Sequence, residues 1–220
     1  MLTRSEEDHL KAVHALLQDG MTASTKDIAD RLGTKASSVT VMLKKLAEKG
    51  LLKHEPYYGV KLTAKGMSAA LRLVRKHRLW ETFLVERLGF RWNEVHEVAE
   101  QMEHVSSDKL TDSLDEYLGH PRFDPHGDPI PDRDGKVLAR TTRTLTQCTI
   151  GERVRIVAVK DPSDSLLHLL DQKGIGIGMV FNLHARQSFD GSLELRSRQG
   201  HSCSLSAQVA AQLLVEPVKA

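Results

Sequence analysis

Thr25-Lys-Asp-Ile-Ala-Asp-Arg-Leu-Gly-Thr-Lys-Ala-Ser-Ser-Val-Thr-Val-Met-Leu-Lys-Lys-Leu-Ala-Glu-Lys-Gly50 reads as two helices joined at a glycine. The first is short, Thr25 to Leu32, with Thr25 as its predicted cap, and Gly33 and Thr34 make the turn. The second runs from about Lys35 to Lys49 and stops at Gly50. A short helix, a glycine-containing turn and a longer helix outline a helix-turn-helix. On the longer helix Val39, Met42, Leu43 and Leu46 recur at helical spacing and are expected to pack inward. Ala36, Ser37, Ser38, Thr40, Val41, Lys44 and Lys45 then lie on or near the outward side. Small residues at the front let a helix enter a major groove, hydroxyls reach base edges or phosphates, and lysines neutralise the DNA backbone.

The flanks complete the outline. Upstream, Ser5 is the predicted cap of a helix whose first turn is acidic, with Leu10, Val13, Leu16 and Leu17 as its apolar stripe and Gly20 at its end. Downstream, Leu51 to Thr63 reads as a strand, a turn around Pro56 to Gly59, and a second strand. That hairpin is the wing of a winged helix, with Tyr57, Tyr58 and Lys61 placed to touch the DNA backbone. An ordinary helical domain with a solvated lysine face is the plainer alternative.

Composition narrows the classes. The chain has 220 residues, enough for more than one small domain, and 40% of them are hydrophobic. No apolar run reaches the roughly 18 residues a membrane span needs, and the amino terminus lacks the pattern of a signal peptide, so a soluble, cytoplasmic protein without a membrane partner is expected. Cys148 and Cys203 lie far apart, which offers neither a disulfide framework nor a thiolate metal knuckle. A net charge of +2 does not by itself announce a nucleic-acid binder.

A second motif carries chemistry. His96, Glu100, Glu103 and His104 fall at i, i+4, i+7 and i+8. At about 100° per residue these side chains span an arc of about 100° on a helix, one wall able to present metal ligands. Imidazole and carboxylate without thiolate suit Mn, Fe(II), Co, Ni or Zn. His77 and Glu81 form another i, i+4 pair on a segment with its own apolar face. A solvated polar face is the competing explanation, and the coincidence of two such clusters in one region favours metal.

Residues 64–118 read as helical throughout, with a break at Gly89 and Asn93 as the cap of the helix that carries the motif to Val105. Their apolar residues exceed the needs of three helices, so part of that surface is expected to meet a second subunit. From His120 to Gly135, four prolines and two glycines in sixteen residues exclude helix and central strand, leaving a turn or tether whose His126 and aspartates are expected to be exposed. Beyond it, Arg153–Val159, Gly178–Leu183 and Ser192–Arg196 are β-like, Ser163 to Lys173 is helix-like, and Ser206 to Leu213 reads as a short helical turn. Short strands with glycine turns indicate a small barrel. The predicted fold is mainly α with a small all-β C-terminal domain.

With these elements in order, the chain resembles the diphtheria toxin repressor and manganese transport regulator family of metal-activated repressors. The most specific marks are Arg75-Lys-His-Arg-Leu79 with Glu81, Val95 to Val105, and Asp124-Pro-His-Gly-Asp-Pro-Ile-Pro131. The resemblance implies a winged helix-turn-helix over 1–63, a helical dimerisation and metal-binding domain over 64–119, a proline-rich linker over 120–143 and an SH3-like (FeoA-type) domain over 144–220. It implies a principal metal site of Asp8, Glu100, Glu103 and His104 and a second of His77, Glu81 and His96. Iron-responsive members carry Cys where this chain has Glu100, so Mn(II) is expected, with Fe(II) the alternative. Lys11 stands where two-domain manganese regulators place a ligating Glu, and Asp161 or Asp164 is near enough to replace a C-terminal ligand of the iron branch. The DNA-binding residues expected are Ser37, Ser38, Thr40, Lys44, Lys45, Tyr57 and Lys61, acting in a homodimer on a palindromic operator, with no small organic substrate. A metal-dependent hydrolase would use the same ligands, but no HExxH, paired nucleophile or nucleotide loop is present. An architectural DNA binder would need a far more basic chain.

Overall fold

The structure is a computed structural model and describes residues 2–55 and 59–218. The chain forms two compact units: residues 1–77, 100–113 and 131–137 make the first, and residues 78–99, 114–130 and 138–220 the second. Among the described residues no helix is long and apolar enough to cross a membrane.

In the first unit, helices α1 (Arg4–Gln18), α2 (Thr25–Leu32) and α3 (Ala36–Glu48) precede an antiparallel hairpin of β1 (Leu52–Glu55) and β2 (Gly59–Leu62). Leu10, Val13, Ile28, Val39, Leu46 and Leu52 meet in one buried core, the apolar faces predicted for these elements. Two caps differ from expectation. Thr3, not Ser5, opens α1: its hydroxyl accepts from the Glu6 backbone N–H while the Glu6 carboxylate accepts from Thr3 N–H at 2.9 Å. Ser24, not Thr25, does the same for α2 with Asp27. In both, the reciprocal Ser/Thr-x-x-acid box satisfies two orphan donors where the neighbouring hydroxyl would satisfy one. The turn of the wing, with Tyr57, lies outside the described residues. Its return strand docks on the loop before α2 through Val60 N–H to the Ala23 carbonyl at 3.1 Å. Gly59, at φ +80°, makes this possible, because a Cβ there would fall 2.2 Å from the Ala23 oxygen.

Helix α4 (Ala64–Leu88) contributes its first part to this unit and the rest to the second. Helix α5 covers only Val95–Met102 and α6 Asp108–Tyr117. The motif helix is thus shorter than expected at both ends: Asn93 precedes it by two residues, and Val105 N–H bonds to the Met102 carbonyl in a tightened last turn.

The second unit holds a six-stranded antiparallel sheet. In chain order its strands are β3 (Arg143–Thr144), β4 (Arg153–Val159), β5 (Val180–Arg186), β6 (Leu193–Arg196), β7 (Ser202–Leu205) and β8 (Leu213–Pro217), in the spatial order β3-β8-β4-β5-β6-β7. Helix α7 (Asp164–Gln172) covers the core of Val154, Ile156, Leu167, Phe181, Leu195 and Val215, and α8 is the single turn Ala207–Ala210. Register shifts at Ile156/Ala158 and Leu183/Ala185 bend the sheet.

The proline-rich segment corrects an expectation. Asp124 and His126 are buried, not exposed, at 7% and 4% accessibility. Asp124 accepts the backbone N–H groups of His126 and Asp128, folding the segment on itself, and His126 Nε2 pairs with the Trp92 carbonyl at 2.8 Å while its ring stacks on Trp92. The His126 carbonyl in turn accepts from Val159 N–H. Gly127, at φ +90°, lets the chain pass β4 where a Cβ would meet the Val157 oxygen at 2.0 Å. The prolines fix a tightly bonded turn here, not a solvated tether.

Candidate metal centre and nucleic-acid interface

Helix α1 carries Glu7, Asp8 and Lys11 toward Glu103 and His104, which occupy the turn just past α5, all within the first unit. His104 Nε2 lies 3.1 Å from Asp8 Oδ1, and its Nδ1 lies 2.7 Å from Glu7 Oε2. Glu103, at 1% accessibility, turns Oε1 toward His104 Nε2 at 3.9 Å and Oε2 toward Lys11 Nζ at 2.7 Å and His77 Nδ1 at 2.6 Å. Ligand atoms of Asp8, Glu103 and His104 all fall within 4.8 Å of one another. Glu100 is half exposed and 3.6 Å from Lys11 Nζ.

Electrostatics fit a cation. Burial pushes the Asp8 carboxyl up, Glu103 and Glu100 add to that, and His104 and Arg4 oppose it. Burial would also raise Glu103, but its hydrogen bond with His77 and the nearby Lys11 charge hold it below the usual range. Two carboxylates and an imidazole, with Cys148 and Cys203 in the other unit, form an oxygen and nitrogen donor set that fits a divalent metal of the Mn, Fe or Zn type.

Of the second predicted set, Glu81 and His96 meet in the second unit, His96 Nδ1 lying 3.3 Å from Glu81 Oε1. His77 stands one helical turn before Glu81 on α4, and its Nδ1 faces Glu103. Asp161 is exposed in the turn between β4 and α7 and belongs to none of the ligand clusters found among the described residues. His126 joins the buried Glu81 instead, with Nδ1 3.7 Å from Oε2. Burial lowers the imidazole, but the Glu81 and Asp124 carboxylates overcome it and raise His126 to about 9. Burial and the neighbouring carboxylates lift Asp124 to about 7. His126, Asp124 and Arg78, whose Nη2 reaches Asp128 at 3.0 Å, form a paired network with the structural role of holding the segment down.

On α3, Ser37, Ser38, Thr40, Lys44 and Lys45 are all exposed, as a groove-reading face requires. Some are already engaged. The Thr40 hydroxyl donates to the Ala36 carbonyl at 2.9 Å, Lys45 Nζ reaches Glu6 Oε1 at 3.0 Å, and Lys61 pairs with Glu55 across the wing. Glu6 is fully buried and receives Lys49 as well, at 2.6 Å. Burial acts to raise its carboxyl, but hydrogen bonds from Lys49, Thr3 N–H and Lys45 outweigh that and hold it at about 2.

Comparison with known proteins places this geometry. Residues 1–60 match the family profile described as iron dependent repressor, N-terminal DNA binding domain; 63–132 match iron dependent repressor, metal binding and dimerisation domain; and 143–217 match the FeoA domain. The iron-dependent repressor of Mycobacterium leprae is 35% identical over 183 residues, which are 77% of this chain and 80% of that protein. The chain belongs to the diphtheria toxin repressor family of metal-dependent transcriptional repressors. A solved manganese-dependent transcriptional repressor in complex with manganese is similar at TM-score 0.87 and 37% identity, covering 96% of this chain and 99% of that one. A metal transport system membrane protein of Chlamydia trachomatis is 47% identical over 91 residues, so this chain spans 20% of that protein's length. Members of the diphtheria toxin repressor family act by binding operator DNA as dimers and are not enzymes.

Spacing alone did not reveal two of this family member's residues. Glu7 reads as a helix-dipole acid, yet it is the partner of His104. Glu6 reads the same way, yet it is the buried anchor of two α3-side lysines. The Thr3-x-x-Glu6 box was the available signal for Glu6, since a capping acid is fixed in space by its own cap.

Proposed function

We propose that this protein is a manganese-activated repressor of metal-uptake genes in the cytoplasm, binding a palindromic operator as a homodimer. The observation that carries the reading is the meeting of Asp8, on the first helix of the DNA-binding region, with Glu103 and His104 past α5. A cation held by these three and Glu100 would fix α1, and with it the orientation of α3. The half-exposed carboxylate of Glu100 and the donor set as a whole suit a hard ion, and the solved manganese-dependent relative is in accord. Fe(II) is the second reading, favoured by the iron-dependent relatives and by the general affinity order of divalent metals.

His77, Glu81, His96 and Asp161 form the proposed second ligand set, supported by the Glu81–His96 approach and the helical spacing of His77 and Glu81. DNA contact is assigned to Ser37, Ser38, Thr40, Lys44, Lys45, Tyr57 and Lys61, and the domain division to 1–63, 64–119, 120–143 and 144–220. Converting a largely incompetent population to a nearly complete one takes about 5.5 kcal/mol of differential binding, within reach of a multi-ligand site. Asp8→Ala or Glu103→Ala should therefore abolish Mn(II)-dependent operator binding while leaving a folded dimer. An unchanged gel shift in either variant, with and without chelator, refutes the reading.

A further inference from the structure

Lys11 is the cation already present in this cluster. Its Nζ lies 2.7 Å from Glu103 Oε2, 3.1 Å from His77 Nδ1 and 3.6 Å from Glu100 Oε1, and its side chain is only 20% exposed. Two carboxylates and an imidazole around one point are the same donor types that gather at the other end of Glu103, where Asp8 and His104 stand. Glu103 is shared between the two places, Oε2 serving the ammonium and Oε1 facing His104. A carboxylate so divided has the arrangement of a bridge between two cations.

We propose that the Lys11 ammonium is a built-in second cation of the centre, occupying a position that would otherwise take a metal and limiting the Asp8/Glu103/His104 cluster to one divalent ion. The inference rests on the metal reading above. Charge supports it. Asp8, Glu100 and Glu103 bring three negative charges, which one divalent ion and one ammonium balance. A second divalent ion beside Lys11 would leave the cluster overcharged and would have to displace a compact, strongly hydrated ammonium held by a nearly dry carboxylate. Replacing Lys11 with a carboxylate restores balance for two divalent ions and adds an oxygen donor. Lys11 also has a mechanical consequence: its ion pair ties α1 to Glu103 in the absence of metal, so the helix is partly positioned before any ion arrives.

The test is a count. Full-length wild type, Lys11→Glu and Asp8→Ala are each equilibrated with Mn(II), and bound metal per chain is measured by elemental analysis, with low-temperature electron paramagnetic resonance on the same samples. Lys11→Glu is expected to bind one more Mn(II) per chain than wild type and to show a spin-coupled manganese pair where wild type shows uncoupled ions. Asp8→Ala is expected to bind one fewer. If Asp8→Ala loses one ion but Lys11→Glu gains none and shows no coupling, the assignment of Lys11 is overturned while the metal centre stands. If Asp8→Ala binds as wild type does, the metal centre itself fails and the role of Lys11 with it. Should Lys11→Glu not fold, Lys11→Gln, which supplies a neutral oxygen at the same reach, is read in the same way.

Discussion

Replacing Glu7 tests whether the metal centre depends on a residue that need not touch the metal. The Glu7 carboxylate lies 2.7 Å from His104 Nδ1, and both side chains are nearly buried, at 12% and 13% accessibility. A carboxylate only accepts, so Nδ1 carries the proton, and Nε2, 3.1 Å from Asp8, is the nitrogen left to act as ligand. Loss of such an outer partner typically costs 10–100-fold in metal affinity, about 1.4–2.7 kcal/mol. Glu7→Gln keeps an acceptor oxygen but removes its charge, so it belongs at the lower end, about tenfold. Glu7→Ala frees the imidazole to rotate and to take the other tautomer, which belongs at the upper end. Both variants also lose an acid from the first turn of α1, a cost of about 0.3–1 kcal/mol to helix stability that does not enter the metal equilibrium directly. Calorimetric titration with Mn(II), alongside circular dichroism to establish folding, reads the effect. The order of the two variants separates causes, since a pure through-space charge effect would weaken both equally. Glu7→Ala with wild-type affinity and an intact fold would refute the role given to this hydrogen bond.

Two further outcomes follow from the same geometry. Glu100→Cys places a thiolate beside the cluster and should shift activation of operator binding from Mn(II) toward Fe(II); activation curves for the two metals that are unmoved by the change count against the assignment of position 100. Glu6, lowered from 4.5 to about 2, contributes stability that is fully present above pH 4.5 and fades as pH falls from 4.5 toward 2, because the unfolded chain takes up the proton first. Glu6→Gln should lose about 2 kcal/mol at neutral pH, discounted for the partly exposed lysines, and should flatten this acid limb in thermal unfolding of the chelated protein. An acid limb identical in wild type and variant shows that Glu6 is not its source.

The helix-turn-helix was legible in sequence because its period is enforced by burial: Val39, Leu43 and Leu46 must face one way, and a one-residue error would expose all three. What escaped was set by polar detail. Ser5 and Thr25 are acceptable caps in isolation, and only the reciprocal bond from Glu6 or Asp27 decides for Thr3 and Ser24. Prolines made His120–Gly135 look solvated, whereas the backbone N–H groups of His126 and Asp128 find their partner in Asp124 and permit burial. In the sheet, Ser202–Leu205 buries only Leu205 and pairs by backbone bonds to β6, so its composition carries no strand signal. The ligand-type residues were found by helical spacing although Glu103 and His104 lie past the helix end, because a tightened last turn displaces side chains only slightly from their helical directions. Asp161 rested on nearness in sequence alone, and the fold leaves it exposed in a turn.

Helix α1 joins the two activities of the first unit through the directions of four nearly consecutive side chains. On a helix, positions 7, 8 and 11 lie within about 100° of one another, and position 6 lies outside that arc. Glu7, Asp8 and Lys11 accordingly reach His104 and Glu103, and Glu6 reaches Lys45 and Lys49 at the C-terminal end of α3. Because Leu10, Val13 and Leu16 seal the same helix into the core, it moves as a rigid piece or not at all. A force on Asp8 is then a force on Glu6, and through two buried-end ion pairs on the helix that reads DNA. The coupling needs no long pathway, only one helix of fifteen residues held at its metal-facing side by ligands and at its other side by lysines.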